Sequence, residues 1–214
     1  MKTPVFDIGD TLIPSSKLQN ELIDDVFREN GEEVPHFNVN NFRIYNPSHV
    51  ERYMEKHGLS GTDPEEVVKR YEEREKHFME KKGVFKFLRK CSEKFGKIGF
   101  ISDNSQKGKE WFRDQLESHE VPYKGLVVSE EVGVEKPETE IFEAFVEKRD
   151  SGPGKFVYFG NNLERDPACR KVGMSFVLVE QYKVFGKNED YEKIGGLEVQ
   201  RIAEKVNRNV YTSR

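Results

Sequence analysis

An α/β fold, with a Rossmann-like open parallel sheet as core and an inserted α-helical cap domain, is predicted by three features of the sequence. Short apolar runs recur along the chain, continuous rather than alternating, as in strands covered on both faces. Helical stretches separate them, which is the pattern of parallel strands joined by crossovers. Between the first two runs lies a long segment dense in Glu, Lys and Arg that has helical signals of its own.

The first run, "PVFDI" at 4–8, reads as a buried strand that ends on a carboxylate. The charged segment then offers helices at 16–30, 47–57 and 64–81. In "TDPEEVVKRYEE" the third of these has a clear start: Asp63 or Thr62 as cap, Pro64 in the first turn and acids behind it. Residues 15–81 are therefore expected to form the cap, and 1–14 with 82–214 the core. The plainer alternative for 15–81 is a surface helical hairpin with no part in any site. The remaining strands are "KIGFIS" at 97–102, "GLVVS" at 125–129, "KFVYFG" at 155–160 and "SFVLV" at 175–179. Ligands of open α/β sheets bind beyond the carboxyl ends of the strands. Asp7, Ser102, Asn161 and Asp166 all fall there.

Composition narrows the function. The 214 residues suit one large domain with an insertion. Charged residues make up 35% and aromatics 12%, with sixteen Phe, enough to fill an interior under a charged surface. The 35 basic and 39 acidic side chains nearly cancel, and no basic block recurs with aromatics, so no nucleic-acid surface is expected and small molecules are the expected partners. Cys91 and Cys169 stand alone, which argues against a disulfide framework or a zinc site. With no apolar run of about 18 residues and no signal-like N-terminus, the expectation is a soluble cytoplasmic protein without a membrane partner, as monomer or homodimer.

Four stretches stand in order along the chain: "FDIGDTL" at 6–12, "FISDNS" at 100–105, "GVEKPETEIF" at 133–142 and "VYFGNNLERDPACRKVGM" at 157–174. Each is weak alone, and each residue in them has a plain reading: Asp7 as a turn residue, Lys136 as a solvated charge, Asp166 as a helix cap before Pro167. Together, in that order at successive strand ends, they resemble the haloacid dehalogenase-like (HAD) hydrolase superfamily over most of the chain. The stretch 81–96 is similar to the helix that leads back from an inserted cap in that superfamily, and a last helix near 196–207 also fits.

The resemblance implies roles. Asp7 matches the nucleophile that attacks phosphorus to give an aspartyl phosphate; a carboxylate needs no base for this, but it needs countercharge to approach an anion. Ser102 matches the hydroxyl that holds a phosphoryl oxygen, with Asp103 and Asn104 beside it as substrate-binding candidates. Lys136 matches the lysine that neutralises nucleophile and substrate. The implied cofactor is Mg²⁺, held by Asp7, the main-chain carbonyl of Gly9, Asn161 and Asp166.

Two positions depart from the family pattern. Where the family has an acid that protonates the leaving group, two residues after the nucleophile, this chain has Gly9; the main-chain metal ligand survives that change, the side-chain acid does not. Asp10 replaces it only if the loop shifts, and is otherwise a turn or capping residue. Where the family has Asp in the fourth motif, Asn161 supplies a neutral oxygen and a weaker hold on the metal. Glu164, on the same loop, is expected to point outward.

Three functions fit: a capped Mg²⁺-dependent phosphatase acting on a small phosphorylated metabolite, a degenerate binding protein, and a metal-independent dehalogenase. The phosphatase would act on acyl or aryl phosphates, or borrow an acid from the cap. Substrate choice is expected from cap residues among Phe42, Tyr45, His49, Arg52 and Tyr53.

Overall fold

The structure, a computed structural model, describes residues 1–33, 44–59, 61–148, 151–186 and 191–207. β1 (Thr3–Phe6) is followed by three helices, α1 (Ser15–Glu29), α2 (Pro47–Lys56) and α3 (Pro64–Lys81), before α4 (Val84–Phe95) and β2 (Ile98–Ser102). Then come α5 (Gln106–Ser118), β3 (Tyr123–Val128), the short α6 (Ser129–Val132), α7 (Glu140–Glu147) and β4 (Phe156–Gly160). β5 (Ser175–Val179), β6 (Lys193–Ile194) and α8 (Val199–Asn207) complete the order.

The strands form a parallel sheet in the order β3-β2-β1-β4-β5-β6. From β1 the chain builds outward through β2 and β3 on one side, then crosses to β4 on the other, so the strand order reverses between β1 and β4. That reversal opens a crevice at the carboxyl ends of these strands.

Alternation along each strand sends neighbouring side chains to opposite faces, and both faces are covered. Phe6, Phe100 and Phe159 join one apolar cluster with Leu88 and Phe112. Their chain neighbours Val5, Ile101 and Tyr158 join a second, with Phe142 and Phe145 of α7. At Gly99 a Cβ would run into the ring of Phe145, so the absence of a side chain lets α7 lie close on the sheet.

The three helices between β1 and β2 pack on one another through Leu22 and Val26 of α1, Val50 and Met54 of α2, and Val67, Tyr71 and Met79 of α3. Both α2 and α3 start as their sequences require. Asn46 Oδ1 accepts the Ser48 N–H at 3.1 Å and Asp63 Oδ1 accepts that of Glu65 at 3.0 Å, each with Pro in the first turn.

Predicted and observed strands agree to within a few residues, and β1 ends at Phe6, leaving Asp7 and Ile8 in the loop. The two-residue β6 is too short to leave a sequence signal. The predicted 81–96 helix begins after Gly83, whose φ of 69° ends the preceding turn. Cys91 and Cys169 are buried free thiols. Among the described residues no helix is long and apolar enough to cross a membrane.

Candidate active site

Most of the residues singled out from the sequence meet in one cavity of about 490 Å³ at the carboxyl ends of β1, β2 and β4. Asp7 leaves β1 with its N–H still bonded to the Phe159 carbonyl at 2.8 Å, which holds the start of the loop to the sheet. Asp7, Gly9, Ser102, Asp103, Asn104, Lys136 and Asn161 line the cavity.

Lys136 lies at the centre of the polar network. Its Nζ stands 3.1 Å from Asp7 Oδ1 and 2.8 Å from Asp166 Oδ1, and donates to the Tyr158 hydroxyl at 3.0 Å. Burial opposes its charge, but Asp166 and Asp7 hold the ammonium well above the ordinary lysine range, so it is a fixed cation. Burial pushes the Asp7 carboxyl up to about 7, Lys136 pulls against this, and Asp166 and Asp103 add to the push. Burial is thus the strongest influence on Asp7, and Lys136 offsets it only in part.

Asp103 braces the network: Oδ1 accepts the Lys136 N–H at 2.9 Å and Oδ2 pairs with Arg165 at 3.2 Å. The Asn104 carbonyl accepts the N–H of Glu130 at 3.2 Å, fastening this loop to α6. Both Asp166 oxygens are engaged, the first by Lys136 and the second by the Asn162 N–H at 2.8 Å. That second bond, rather than a helix cap, is the use made of Asp166, since the residue preceding this turn of 3₁₀ helix is Arg165. The carboxylate packs where a Cβ on Gly160 would collide with it, which accounts for that glycine. Asn161 is oriented from both ends: Oδ1 accepts from Thr11 at 3.0 Å and Nδ2 donates to the Lys183 carbonyl at 2.6 Å.

Asp10 is occupied with α1. Its φ is 52°, a left-handed conformation that Asp tolerates, and its carboxylate accepts both the N–H (3.1 Å) and the hydroxyl of Ser16. It caps α1, whose own cap position is Pro14.

The match with known proteins can now be stated. Residues 5–179 fit the family model of the haloacid dehalogenase-like hydrolases. The chain belongs to this family. A glyceraldehyde 3-phosphate phosphatase from Methanopyrus kandleri is 27% identical, over 90% of this chain and 88% of that protein. Among solved structures, a HAD phosphatase from Thermococcus onnurineus superposes with a TM-score of 0.64 at 17% identity, covering 97% of this chain and 98% of that one. A 2-haloacid dehalogenase from Pseudomonas syringae superposes with a TM-score of 0.61 at 16% identity, covering 95% and 97%. The fold is thus shared by HAD hydrolases of both kinds.

This HAD hydrolase also has site residues that motif reading missed. Tyr158 and Arg165 sit inside the quoted motifs but carry no signal of their own. Glu75 of α3 is different: it lines the cavity with 3% exposure, in a stretch that reads as surface charge. A signal existed, because Tyr71, Glu75 and Met79 recur every four residues on the buried stripe of α3. Of the specificity candidates, Tyr45 and His49 line the cavity; Arg52 and Tyr53 do not, and Phe42 lies outside the described residues. Tyr53 packs instead on Phe27 and His57. Glu164 is exposed, at the cavity rim.

Proposed function

We propose that this hydrolase is a phosphatase that splits a small phosphorylated metabolite through a covalent intermediate on Asp7. The observation that carries the reading is the placement of Lys136 between Asp7 and Asp166 at the strand-order reversal, in a cavity that also holds Ser102. A buried cation touching a carboxylate nucleophile suits an anionic substrate far better than a neutral one. An Asp7 oxygen attacks phosphorus as the bond to the leaving oxygen breaks, Lys136 balances the charge, and the Ser102 hydroxyl and loop N–H groups orient the phosphoryl oxygens. Water then attacks the acyl phosphate, releasing phosphate and restoring Asp7. Residues 15–81 act as the cap that closes over the substrate, with Tyr45 and His49 contributing to its selection.

The residues fit Mg²⁺. Among the described residues no three His, Cys, Asp or Glu side chains gather as a metal cluster. Mg²⁺, however, is held by one or two carboxylates, neutral oxygens and the substrate phosphate, and the Asp7 carboxylate with the Gly9 and Asn161 oxygens around the cavity is such a donor set. Of the four ligands the sequence offered, Asp7, the Gly9 carbonyl and Asn161 Oδ1 would hold it; Asp166, wholly buried, off the cavity wall and engaged at both oxygens, would instead steady Lys136. When bound, it would supply further charge neutralisation at the phosphoryl group. A HAD hydrolase of the same fold, YfnB from Bacillus subtilis, was crystallised with magnesium (TM-score 0.63, 17% identity).

The test is a panel of phosphate esters that includes glyceraldehyde 3-phosphate, the substrate in the name of the Methanopyrus kandleri relative, assayed with Mg²⁺ and with EDTA, alongside 2-haloacids. Phosphate release that requires Mg²⁺ and disappears in a folded Asp7→Asn variant is the expected result. Halide release without metal would establish the dehalogenase reading in its place.

A further inference from the structure

The phosphatase reading leaves one proton without a source. An alkyl phosphate departs as an alkoxide and needs an acid, and Gly9 stands where the family has one. Gly9 is not in a left-handed conformation, and a Cβ built on it would point at Ser15, 3.6 Å from Oγ and 3.7 Å from Cβ. The direction in which an acid at position 9 would extend therefore leads to the Ser15 hydroxyl. Ser15 Oγ in turn donates to Glu75 Oε1 at 3.2 Å. Glu75 is held in place by two further hydroxyls, Tyr71 at 2.5 Å and Tyr45. Ser15 and Glu75 both line the cavity that contains Asp7, Ser102 and Lys136.

From this chain of contacts we infer that Glu75, acting through the Ser15 hydroxyl, supplies the proton that Gly9 cannot. The proposal rests on the phosphatase reading. With Glu75 protonated the Ser15–Glu75 bond runs the other way, from the carboxyl to Ser15 Oγ, which frees the Ser15 proton. As the bond from phosphorus to the leaving oxygen breaks, Ser15 gives that proton to the leaving oxygen and takes the proton of the Glu75 carboxyl, leaving Glu75 ionised. When water attacks the aspartyl phosphate, its proton returns through Ser15 to Glu75. Proton and charge balance over the cycle. Ser15 touches the leaving group; Glu75 is the reservoir behind it.

The surroundings of Glu75 suit that task. The groups acting on it most strongly are Tyr45 from the segment before α2, Ser15 at the start of α1, and Tyr71 and Glu72 of α3 itself, none of them a cation. Burial pushes the carboxyl up to about 7 against the three hydroxyl bonds. An acid in that range can both give and recover a proton near neutrality. The relay also ties the start of α1 to α3, so the proton source is assembled only when α3 is seated over the site.

The experiment compares glyceraldehyde 3-phosphate, whose leaving oxygen needs a proton, with 4-nitrophenyl phosphate, whose leaving group is a stable anion. Glu75→Gln, with its fold verified by circular dichroism and inorganic phosphate binding by calorimetry, should lower kcat for the alkyl ester by ~10²-fold or more and change the aryl ester little. The wild type is expected to lose alkyl-ester kcat/KM above pH about 7, and that fall should be absent from the variant. Gly9→Asp added to Glu75→Gln should restore the alkyl rate while Gly9→Asp alone gains little over the wild type, where the relay already supplies the proton; an equal gain in both backgrounds would overturn the relay. If Glu75→Gln does not fold, Ser15→Ala carries the same contrast, and full alkyl turnover in that variant overturns the relay. Equal losses on both esters, or none, also overturn it while the phosphatase reading stands, provided Asp7→Asn abolishes both activities. A wild-type protein inert towards both esters overturns the phosphatase reading and the relay together.

Discussion

Asn161 illustrates how a single position is fixed by more than its part in a motif. An amide there can accept from Thr11 with one end and donate to the Lys183 carbonyl with the other, whereas a carboxylate can only accept. Asn161→Asp, which would give the site the family's usual charge, therefore sets a carboxylate oxygen against that carbonyl. We expect a cost of ~1–3 kcal/mol in EDTA, read as a lower Tm. Mg²⁺ should recover much of it, because the added charge strengthens the hold on a hard cation and binding stabilises the folded state. An Mg²⁺-induced rise in Tm no larger than that of the wild type would mean that Asn161 does not face the ion. Gly9 is the simpler case: its backbone conformation and the space around it admit a side chain.

At the scale of an element, α3 has a charge-bearing group on its buried face. Glu75 has a folded pKa of about 7, above its ordinary 4.5, so the fold favours the protonated form. The sign follows: the stabilising contribution is complete below 4.5, declines as pH rises, and is gone above about 7. At ~1.4 kcal/mol per pH unit this span amounts to about 3 kcal/mol. Denaturant titrations at pH 5 and pH 8 should show lower stability at pH 8, with a smaller difference in Glu75→Gln. The same difference in both proteins would mean that the carboxyl is already ionised in the fold at pH 5. The helix also marks where sequence reading stopped. Its start was legible from Asp63, Pro64 and the acids behind them. The use of Glu75 was hard to read, because in "YEEREKHFMEKK" it is one acid among many and only its register with Tyr71 and Met79 sets it apart from Glu72 or Glu73.

At the scale of the whole molecule, the sheet decides where everything else can go. Gly99→Ala would press a methyl group into the ring of Phe145 and lift α7 from the sheet, at a cost of ~1–3 kcal/mol. Because the Lys136 loop feeds directly into α7, activity should fall along with Tm; thermal melts and turnover of the same preparation test both, and an unchanged Tm would show that α7 adapts. The core strands were readable as continuous apolar runs because both faces of the sheet are covered. Asp7, Ser102 and Lys136 were readable because order along the chain maps onto adjacent strand ends. Arg165 and Tyr158 were not, since their roles arise from partners 62 and 22 residues away in sequence.

The hydrogen bond from Ser15 to Glu75 spans 60 residues of sequence and joins the start of α1, just beyond the loop after β1, to α3. With the proposed nucleophile, Asp7, on that loop and the proposed proton reservoir on α3, the helices proposed to choose the substrate would also complete its departure. Selectivity and rate then cannot be inherited separately. A chimera in which residues 15–81 are replaced by the corresponding segment of a relative that carries its acid at position 9 would keep Asp7 and Lys136, yet have no acid on either side.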